Sequence, residues 1–576
     1  MKTYSPWQLL LTYIKPHRLQ VVLLWLALLA TIATQLINPQ IIGRFLDAAE
    51  RGSALAVLLQ AAGLFLAIAL VEQLLGLATT YVSTNLAWQA TNQLREDLLR
   101  HCLRLDRTFH KAHSPGELLE RIDGDVQALG NFFAQLGLNL LNNLLLLIGV
   151  LVLLWWTAWP IGLTVTLIAS GGLATVDWLR RAAVPHWQKA QGAMADLYGY
   201  LEERLHGTEE LRANGAVAYA MRGLYAHFQR AYATALQTRF YNVGGLMIPI
   251  LVFGLAYSVV FLLGDRLQQQ SGLSIGAIYL IVHYLGLLSG PLWQIVNEIH
   301  DLQTAGASVG RVQEIFQTAS AITDQGQQQL TTGALAVRFD QVSVQYEKES
   351  DFALRDLTFQ LAAGETLGLL GRTGSGKTTL TRLLLRLVEP TSGVIHLGAP
   401  GGALADLPLA ELRRQVGMVT QDVQLLQGTI RDNLTFFDPT VRDETLLDIA
   451  QKLGLAEWLA TLPAGLETKI GAGGQGLSAG QAQLVAFLRI GLQDPGLVIL
   501  DEPSSRLDPV TERLLDRAIG RLLQNRTGII IAHRLETVQR VDKIMILAEG
   551  RLVEFGERAE LMAQAGSRFS ELLAQP

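Results

Sequence analysis

Six stretches of mostly apolar residues follow one another through the first half of the chain. They lie at residues 19–36, 58–77, 136–156, 161–176, 246–263 and 275–292. Each is close to the length of about 20 residues that a helix needs to cross the hydrocarbon core of a bilayer. One or two such stretches could be core helices of a soluble protein, but six in series would need a very large soluble core. The pattern therefore predicts six membrane-spanning helices.

Basic residues are concentrated in two of the joints between these stretches. The joints after the second and the fourth stretch contain Arg95, Arg100, Arg104, Arg107, Lys111 and Arg121, and Arg180, Arg181, Lys189, Arg204, Arg212, Arg222, Arg230 and Arg239. The three other joints hold only Arg44, Arg51 and Arg266. Because basic joints stay on the cytoplasmic side, we expect a multi-pass protein of the cell (plasma or inner) membrane with both termini in the cytosol. Both long joints keep helical spacing, which predicts cytosolic extensions of the spans with breaks at 113–116 and 206–208.

The pattern changes in the second half. Polar residues at 317–333 indicate a linker, and beyond it short β-branched runs alternate with helical stretches, which is typical of an α/β domain. We therefore predict a multidomain membrane protein. An all-α transmembrane domain with six helices and long cytosolic helix extensions (1–316) precedes an α/β domain (334–576).

Composition agrees with a chain that has a membrane part and a soluble part. Half of the 576 residues are apolar and 17% are charged, with a formal net charge of −5. A nucleic-acid partner is not expected, because it would usually bring a basic excess. Because the chain has a single cysteine, Cys102, it cannot form an internal disulfide. It also has too few cysteines for the usual structural zinc sites.

One motif in the α/β half carries recognisable phosphate chemistry. Residues 371–378 read Gly-Arg-Thr-Gly-Ser-Gly-Lys-Thr, between an apolar strand-like run and a helical run. In a P-loop of this pattern, backbone N–H groups surround the phosphates, Lys377 neutralises the β- and γ-phosphates, and the Thr378 hydroxyl binds Mg²⁺. The predicted phosphate-binding residues are Gly371, Arg372, Thr373, Gly374, Ser375, Gly376, Lys377, Thr378 and Thr379.

A second strand-like run, 497–500, ends in two acids. Asp501 at the strand's carboxyl end is placed to hold the magnesium ion through water, and Glu502 to polarise an attacking water. A hydrophobic run that ends in two acids is weak evidence alone, and it gains meaning from the P-loop upstream.

The segment Leu477-Ser478-Ala479-Gly480-Gln481 is similar to the LSGGQ signature of ATP-binding cassette (ABC) transporters. With it, nearly the whole chain resembles the exporter half-transporters of that family, which fuse one membrane domain to one nucleotide-binding domain. The resemblance implies ATP and Mg²⁺ as ligands and gives roles to further residues. Tyr346 would stack on adenine, Gln421 would contact Mg²⁺, Asp508 would lie in the loop that crosses the dimer interface, and His533 would contact the γ-phosphate.

The resemblance also implies a mechanism. ATP on one chain's P-loop is closed over by Ser478, Gly480 and Gln481 of a second chain, and closure coupled to hydrolysis drives alternating access and export. Ala479, Ala472 and Arg506 depart from the family's pattern. These departures favour a heterodimer with a second, different half-transporter over a homodimer.

Three other functions remain open at this point. The chain could be a regulatory or channel-like subunit that binds ATP with little transport of its own, a soluble P-loop enzyme with an apolar anchor, or an importer. An intact Glu502 disfavours the first, and six spans disfavour the second.

The cargo is only weakly indicated, as a small or amphipathic molecule. Asn139, Asn142 and Asn143 share one face of the third stretch, and Glu72 lies in the second. Polar groups within a membrane are costly, so they line either a substrate path or an interhelical contact. Tyr279, His283 and Trp293 are candidates for an aromatic lining.

Overall fold

The computed structural model describes residues 12–131, 137–271, 273–324, 326–346, 351–398, 402–502, 509–532, 538–564 and 566–574. The chain divides into two compact units. The helical unit comprises Met1–Arg104 and His113–Thr318, and the α/β unit comprises Leu105–Ala112 and Ala319–Pro576. The division after Thr318 lies inside the predicted linker, whereas residues 105–112 belong to the α/β unit although they come from the first half of the chain.

Helices of 5 to 55 residues make up the described part of the helical unit. They are α1 (Arg18–Glu50), α2 (Leu55–Arg104), α4 (Pro115–Leu119), α5 (Val126–Asn131), α6 (Gly137–Thr157), α7 (Trp159–His206), α8 (Thr208–Ala213), α9 (Val217–Ser271), α10 (Ile275–Leu287) and α11 (Ser289–Gln317), while α3 (Arg107–Ala112) belongs to the α/β unit. By length and hydropathy, three helices of the described chain can cross a membrane: Thr12–Glu50, Leu55–Arg104 and Trp159–His206. Two shorter apolar helices, Leu141–Thr157 and Ile275–Pro291, accompany them. The count of six spans stays a prediction.

Apolar side chains lie on both the inside and the outside of this unit. Leu146, Val150 and Leu154 of α6 recur every four residues and pack into a buried cluster with α7, α9 and α10. On α1 and α2, by contrast, leucines such as Leu19 and Leu66 are exposed. Helices that are apolar all round suit a lipid environment.

The first long joint contains two helix breaks, at 105–106 and at 113–114, and the second of them lies within the predicted break at 113–116. Helix α2 ends at Arg104, and the Asp106 carboxylate accepts the backbone N–H groups of Thr108 and Phe109 at 2.9 and 3.2 Å, which begins α3. Ser114 then caps α4 through the Glu117 N–H at 3.1 Å. An aspartate that satisfies free N–H groups stops one helix and starts the next. In the second long joint the helix breaks at Gly207, within the predicted break at 206–208.

A buried carboxylate joins the π-helical segment Glu120–Asp125, which follows α4, to α11. Asp125 accepts hydrogen bonds from the Ser308 hydroxyl at 2.9 Å and from the Arg311 Nε at 2.9 Å, and it forms an ion pair with Arg311 Nη2. Arg121 lies 4.0 Å away on the other side. The charge of Asp125 is therefore compensated although only 3% of the residue is exposed.

The described residues of the α/β unit form three sheets. Its strands are β1 (Val337–Val344), β2 (Leu354–Leu361), β3 (Thr366–Leu370), β4 (Ser392–Leu397), β5 (Gly402–Ala403), β6 (Val416–Val419), β7 (Gly428–Thr429), β8 (Lys469–Ile470), β9 (Leu497–Asp501), β10 (Thr527–Ile531), β11 (Lys543–Ala548) and β12 (Arg551–Glu557). The central sheet has the order β12-β11-β3-β10-β9-β6 and is parallel except for β12. Antiparallel sheets β2-β1-β4-β5 and β7-β8 accompany it.

Helices lie between these strands along the chain and after the last of them. They are α12 (Lys377–Leu384), α13 (Leu409–Gln415), α14 (Ile430–Thr435), α15 (Asp443–Leu453), α16 (Ala456–Thr461), α17 (Ala479–Gln493), α18 (Pro509–Leu522), α19 (Arg558–Ala563) and α20 (Arg568–Ala574).

Sheet register decides where the site residues lie. In the parallel pairs, Ile531 of β10 is opposite both Leu369 of β3 and Asp501 of β9, and Leu500 is opposite Val419 of β6. The carboxyl ends of β3, β9 and β6 therefore meet at one edge. Ligands of open α/β sheets bind at this edge.

Candidate nucleotide site

A glycine-rich loop connects β3 to α12. Gly374 and Gly376 have φ values of 82° and 103°, a region that favours glycine. A Cβ on Gly376 would lie 2.6 Å from Leu354 Cδ2 and 2.7 Å from the Ala353 carbonyl oxygen, whereas one on Gly374 would meet nothing within 4 Å. Gly376 is thus required by packing, and Gly374 stands at an open surface of the loop.

Two buried polar side chains of this loop fit an anionic ligand. The Ser375 hydroxyl is buried and has no hydrogen-bond partner among the described residues. The Lys377 amine, also buried, donates to the carbonyl oxygens of Gly371 and Arg372. A phosphate group, which offers several acceptor oxygens, would satisfy the hydroxyl and pair with the amine at the amino end of α12.

Acidic residues lie near this lysine. Burial lowers the pKa of the Lys377 amine, and the charges of Glu502 and Asp501 oppose that shift. The structure therefore brings the P-loop lysine and the two predicted acids together, as expected from the sheet register.

Hydrogen bonds of both the backbone and the carboxylate hold Glu502. Its backbone has a φ of 48°, which is unusual outside glycine, and its N–H donates to the Ile531 carbonyl oxygen at 3.0 Å. The Gln421 Nε2 donates to Glu502 Oε2 at 2.8 Å. Gln421, from the turn after β6, thus orients the carboxylate that is the candidate general base.

The oxygen groups at this edge suit magnesium. Thr378 is exposed at the start of α12, and Asp501 is half-buried at the end of β9. Hydroxyl, amide and carboxylate oxygens are ligands that Mg²⁺ prefers, usually together with substrate phosphates and water. Thr378, Gln421 and Asp501 are therefore the residues that would hold it.

Tyr346 lies beside the helix that follows the P-loop. Its hydroxyl is 3.2 Å from the Thr379 hydroxyl and accepts a hydrogen bond from Arg382 Nη1 at 3.1 Å, while the residue remains 44% exposed. An exposed ring beside the phosphate loop can stack on a nucleotide base.

Sequence reasoning missed two arginines at this position. Burial and the charge of Arg382 lower the pKa of the Arg107 guanidinium, and Tyr346 opposes the shift. Arg107 therefore lies close to both residues. It belongs to α3, more than 200 positions earlier in the chain, and no sequence pattern links it to the P-loop.

The signature-like segment forms the amino end of α17. The Ser478 hydroxyl accepts the Gln481 N–H at 3.2 Å, and Gln481 Oε1 accepts the Ser478 N–H at 3.0 Å, which is a capping box. Gly480 is buried and Ala479 is exposed. The methyl group of Ala479 thus points to the surface and leaves the cap intact.

Several predicted residues fall outside the described part of the chain. Asp508 and His533 are among them, as is Arg506, and nothing is described of the Ala472 side chain. Their roles remain predictions.

The polar residues of the third predicted span divide between the two expected roles. Asn143 is buried and donates to Gln294 Oε1 at 2.6 Å, an interhelical hydrogen bond. Asn142 lines a cavity. The side chains of Asn139 and Trp293 lie outside the described residues.

Three other residues that were candidates for lining a substrate path form hydrogen bonds with side chains of the helical unit. Glu72 forms a hydrogen bond with Gln35 of α1. Tyr279 and His283, one turn apart on α10, are joined by a hydrogen bond of 3.4 Å.

Comparison with known proteins identifies both halves of the chain. Residues 21–292 match the model of the ABC transporter transmembrane region, and residues 354–505 match that of the ABC transporter. An ABC transporter ATP-binding protein of Bacillus subtilis, YknV, is 30% identical over 97% of this chain and 92% of its own length. An ATP-dependent lipid A-core flippase of Idiomarina loihiensis is 28% identical over 99% of this chain and 97% of its own.

A further relative and a solved structure complete the comparison. A fatty acid ABC transporter ATP-binding/permease protein of Mycobacterium bovis is 30% identical over 84% of this chain and 76% of its own. A bacterial Atm1-family ABC exporter solved with ATP bound has the same fold, with a TM-score of 0.81 over 97% of this chain and 98% of that one at 24% identity.

Proposed function

The chain belongs to the ABC transporter family, and we propose that it is an exporter half-transporter that couples ATP hydrolysis to movement of a substrate across the cell membrane. The contact between Gln421 and Glu502, beside Lys377, is the observation that carries this proposal. A P-loop that merely binds nucleotide does not need a carboxylate that is oriented for proton transfer.

The chemistry proposed for the site follows from these contacts. Lys377 exchanges its bonds to loop carbonyl oxygens for the β- and γ-phosphates, and the Ser375 hydroxyl donates to a phosphate oxygen. Glu502, oriented by Gln421, takes a proton from the water that attacks the γ-phosphate. Mg²⁺, when bound, neutralises developing phosphate charge. The roles of His533 as a γ-phosphate contact and of Asp508 at the interface rest on the family resemblance.

We propose that the site is completed by a second chain. Ser478 and Gln481 stand exposed or half-exposed at the amino end of α17, where backbone N–H groups favour an anion. In a pair of half-transporters, this end closes over the ATP on the partner's P-loop. Ala479, Ala472 and Arg506 favour a different half-transporter as the partner, and co-purification of a second chain with the tagged protein tests this.

ATP binding then changes the membrane domain. ATP stabilises the closed pair of α/β units, and hydrolysis with phosphate release lets them separate. The helical unit changes access from one side of the membrane to the other because ATP binds the two states with different affinity. Both termini and both long joints are proposed to lie in the cytosol, in accord with the distribution of basic residues.

ATP-driven uptake into inside-out membrane vesicles tests the function. We expect Glu502→Gln to bind ATP normally and to lose at least about 100-fold in ATP turnover and in uptake, the usual scale for a well-placed general base. Lys377→Ala, which should lose nucleotide binding itself, is the matched control. Turnover near the wild-type level in Glu502→Gln would remove Glu502 as the general base, whereas a wild-type protein that binds ATP without turnover or uptake would support a regulatory or channel-like subunit.

A further inference from the structure

A cavity of 540 Å³ lies in the helical unit, lined by residues of α1, α2, α5 and α6. Six hydroxyl side chains contribute to its wall: Thr31, Thr79, Thr80, Ser83, Thr84 and Thr91. Three amides, those of Gln127, Asn131 and Asn142, and the indole of Trp88 contribute further. Within the described part of the chain, every side chain that lines this cavity is uncharged.

Four of the threonine hydroxyls donate their protons to backbone carbonyl oxygens of their own helices. Thr31, Thr79, Thr80 and Thr91 each donate to the carbonyl oxygen four residues earlier, at 2.8–3.0 Å. A hydroxyl has one proton and two lone pairs. These threonines therefore present acceptor oxygens and methyl groups to the cavity, and a ligand that forms hydrogen bonds with them must supply the donors.

A charged group beside this wall, the Arg95 guanidinium, is already compensated. Arg95 lies 5.9 Å from the centroid of the Trp88 ring, forms an ion pair with Asp123 at 3.2 Å and donates to Gln127 Oε1 at 3.0 Å. Gln127 in turn donates to Asn131 Oδ1 at 3.1 Å. An anionic ligand would gain little from a paired guanidinium, whereas a neutral ligand with several O–H groups matches the wall.

The position of the cavity indicates that the ligand has an apolar part. Its wall on α2 begins at Gly76, where the predicted span 58–77 ends, and continues to Thr91 in the cytosolic extension. Preceding leucines of α2, among them Leu66, Leu70 and Leu74, are exposed by 58–66%. Acyl chains could lie along these leucines while a headgroup occupies the hydroxyl-lined cavity.

We propose that this cavity binds the uncharged, hydroxyl-rich headgroup of a glycolipid, and that such a lipid is the transported substrate. The second part rests on the export function proposed above. Sugar O–H groups donate to the threonine oxygens, and the exposed Trp88 ring packs on a sugar C–H face. The aliphatic tails remain in the bilayer.

Direct binding to the full-length protein in lipid nanodiscs tests the site. The probe is radiolabelled monohexosyl diacylglycerol, with diacylglycerol, phosphatidylglycerol and a free disaccharide as unlabelled competitors. We expect only unlabelled glycolipid to compete strongly. Equal competition by phosphatidylglycerol would overturn the neutral-headgroup assignment, and equal competition by the disaccharide would overturn the lipid assignment.

Three matched variants connect binding to the wall. Thr80→Val with Thr84→Val removes two acceptors at nearly constant volume, and we expect at least about tenfold weaker binding. Thr80→Ser with Thr84→Ser keeps the oxygens and should bind as the wild type does. Thr175→Val is the control outside the cavity, because Thr175 also donates to a glycine carbonyl oxygen, at 2.8 Å. Unchanged binding in the double valine variant would refute the site.

Failure of this inference is distinguishable from failure of the export function. Binding is measured without nucleotide, and Glu502-dependent ATP turnover and uptake are measured separately. Turnover without glycolipid binding would remove the substrate assignment alone, and binding without turnover would remove the transport function alone.

Discussion

At the scale of single residues, the nucleotide site depends on backbone geometry as much as on side chains. Gly374 and Gly376 both have positive φ, but only Gly376 is packed against neighbouring atoms. The two positions therefore separate the cost of backbone strain from the cost of a clash.

We expect Gly376→Ala to lower the free energy of unfolding by about 1 kcal/mol or more beyond Gly374→Ala. Both alanines meet the strain of positive φ, and only the first meets Leu354 and the Ala353 carbonyl oxygen. Thermal unfolding in detergent without nucleotide measures the difference. Equal unfolding temperatures would show that the loop relaxes around the added methyl group.

Residue types and order alone indicated much of this site. Lys377, Asp501 and Glu502 were predicted from a motif and a strand end, and Gln421 from the family resemblance. The parallel register places them at one sheet edge. Arg107 could not be predicted, because its proximity to Tyr346 arises from a contact distant in sequence. The split of roles between Asn142 and Asn143 also needed coordinates, since both lie on the same helix face.

At the scale of elements, the amino end of α17 has two roles. It fixes where the helix begins, and it is proposed to bind a phosphate of the partner's ATP. Ser478 caps α17 through its hydroxyl and also stands where a partner's phosphate is proposed to bind. Substitutions that keep the cap but change the charge separate these two roles.

We expect Ser478→Asp to keep the unfolding temperature and to lose ATPase activity by about 100-fold. Aspartate caps a helix as well as serine does, but its carboxylate repels the γ-phosphate. Ser478→Ala should lose about 1 kcal/mol of stability through the missing cap. Wild-type turnover in the aspartate variant would place phosphate recognition elsewhere.

Removing either partner of the ion pair between Asp125 and Arg311 should lower stability, but by unequal amounts. Arg311→Met leaves a carboxylate buried with reduced compensation, and we expect it to destabilise the protein by about 2 kcal/mol. Asp125→Asn keeps acceptors for Ser308 and leaves Arg311, whose side chain is 41% exposed, able to hydrate. Its cost should be nearer 1 kcal/mol. Thermal unfolding of the two variants gives the order, and the reverse order would contradict the burial of this charge.

The exact ends of helices were predicted less well from the sequence than the helices themselves. Long apolar periodicity predicted the major helices, but not that Asp106 would end α2 and begin α3. A single polar side chain among basic and aromatic neighbours carries too weak a signal. Likewise Pro291, which lacks an N–H group, accompanies the division of the sixth predicted span between α10 and α11.

At the scale of the whole molecule, the proposed pairing of two chains can be tested by complementation between two inactive variants. Lys377→Ala damages a chain's own P-loop, and Ser478→Asp damages the signature that it offers to a partner. In a mixed pair, one composite site would contain both wild-type elements.

Because a different half-transporter is the proposed partner, we expect the two variants, co-expressed with different tags, not to purify together through both tags. A doubly tagged species that regains the ATPase activity that neither variant shows alone would instead indicate a homodimer. Such recovery requires two copies of this chain to form a composite site, and it would exclude an obligatory different partner. Failure of the doubly tagged species to form would favour the heterodimer. A doubly tagged but inactive species would contradict the composite site.

The placement of residues 105–112 in the α/β unit has a practical consequence. The polypeptide passes between the two units three times, near 104, 112 and 318, so they are linked by three covalent tethers. A fragment cut out at the linker would lack α3 and uncover the surface that now buries Phe109. Such a fragment should be prone to aggregation until a synthetic peptide spanning 105–112 is added back.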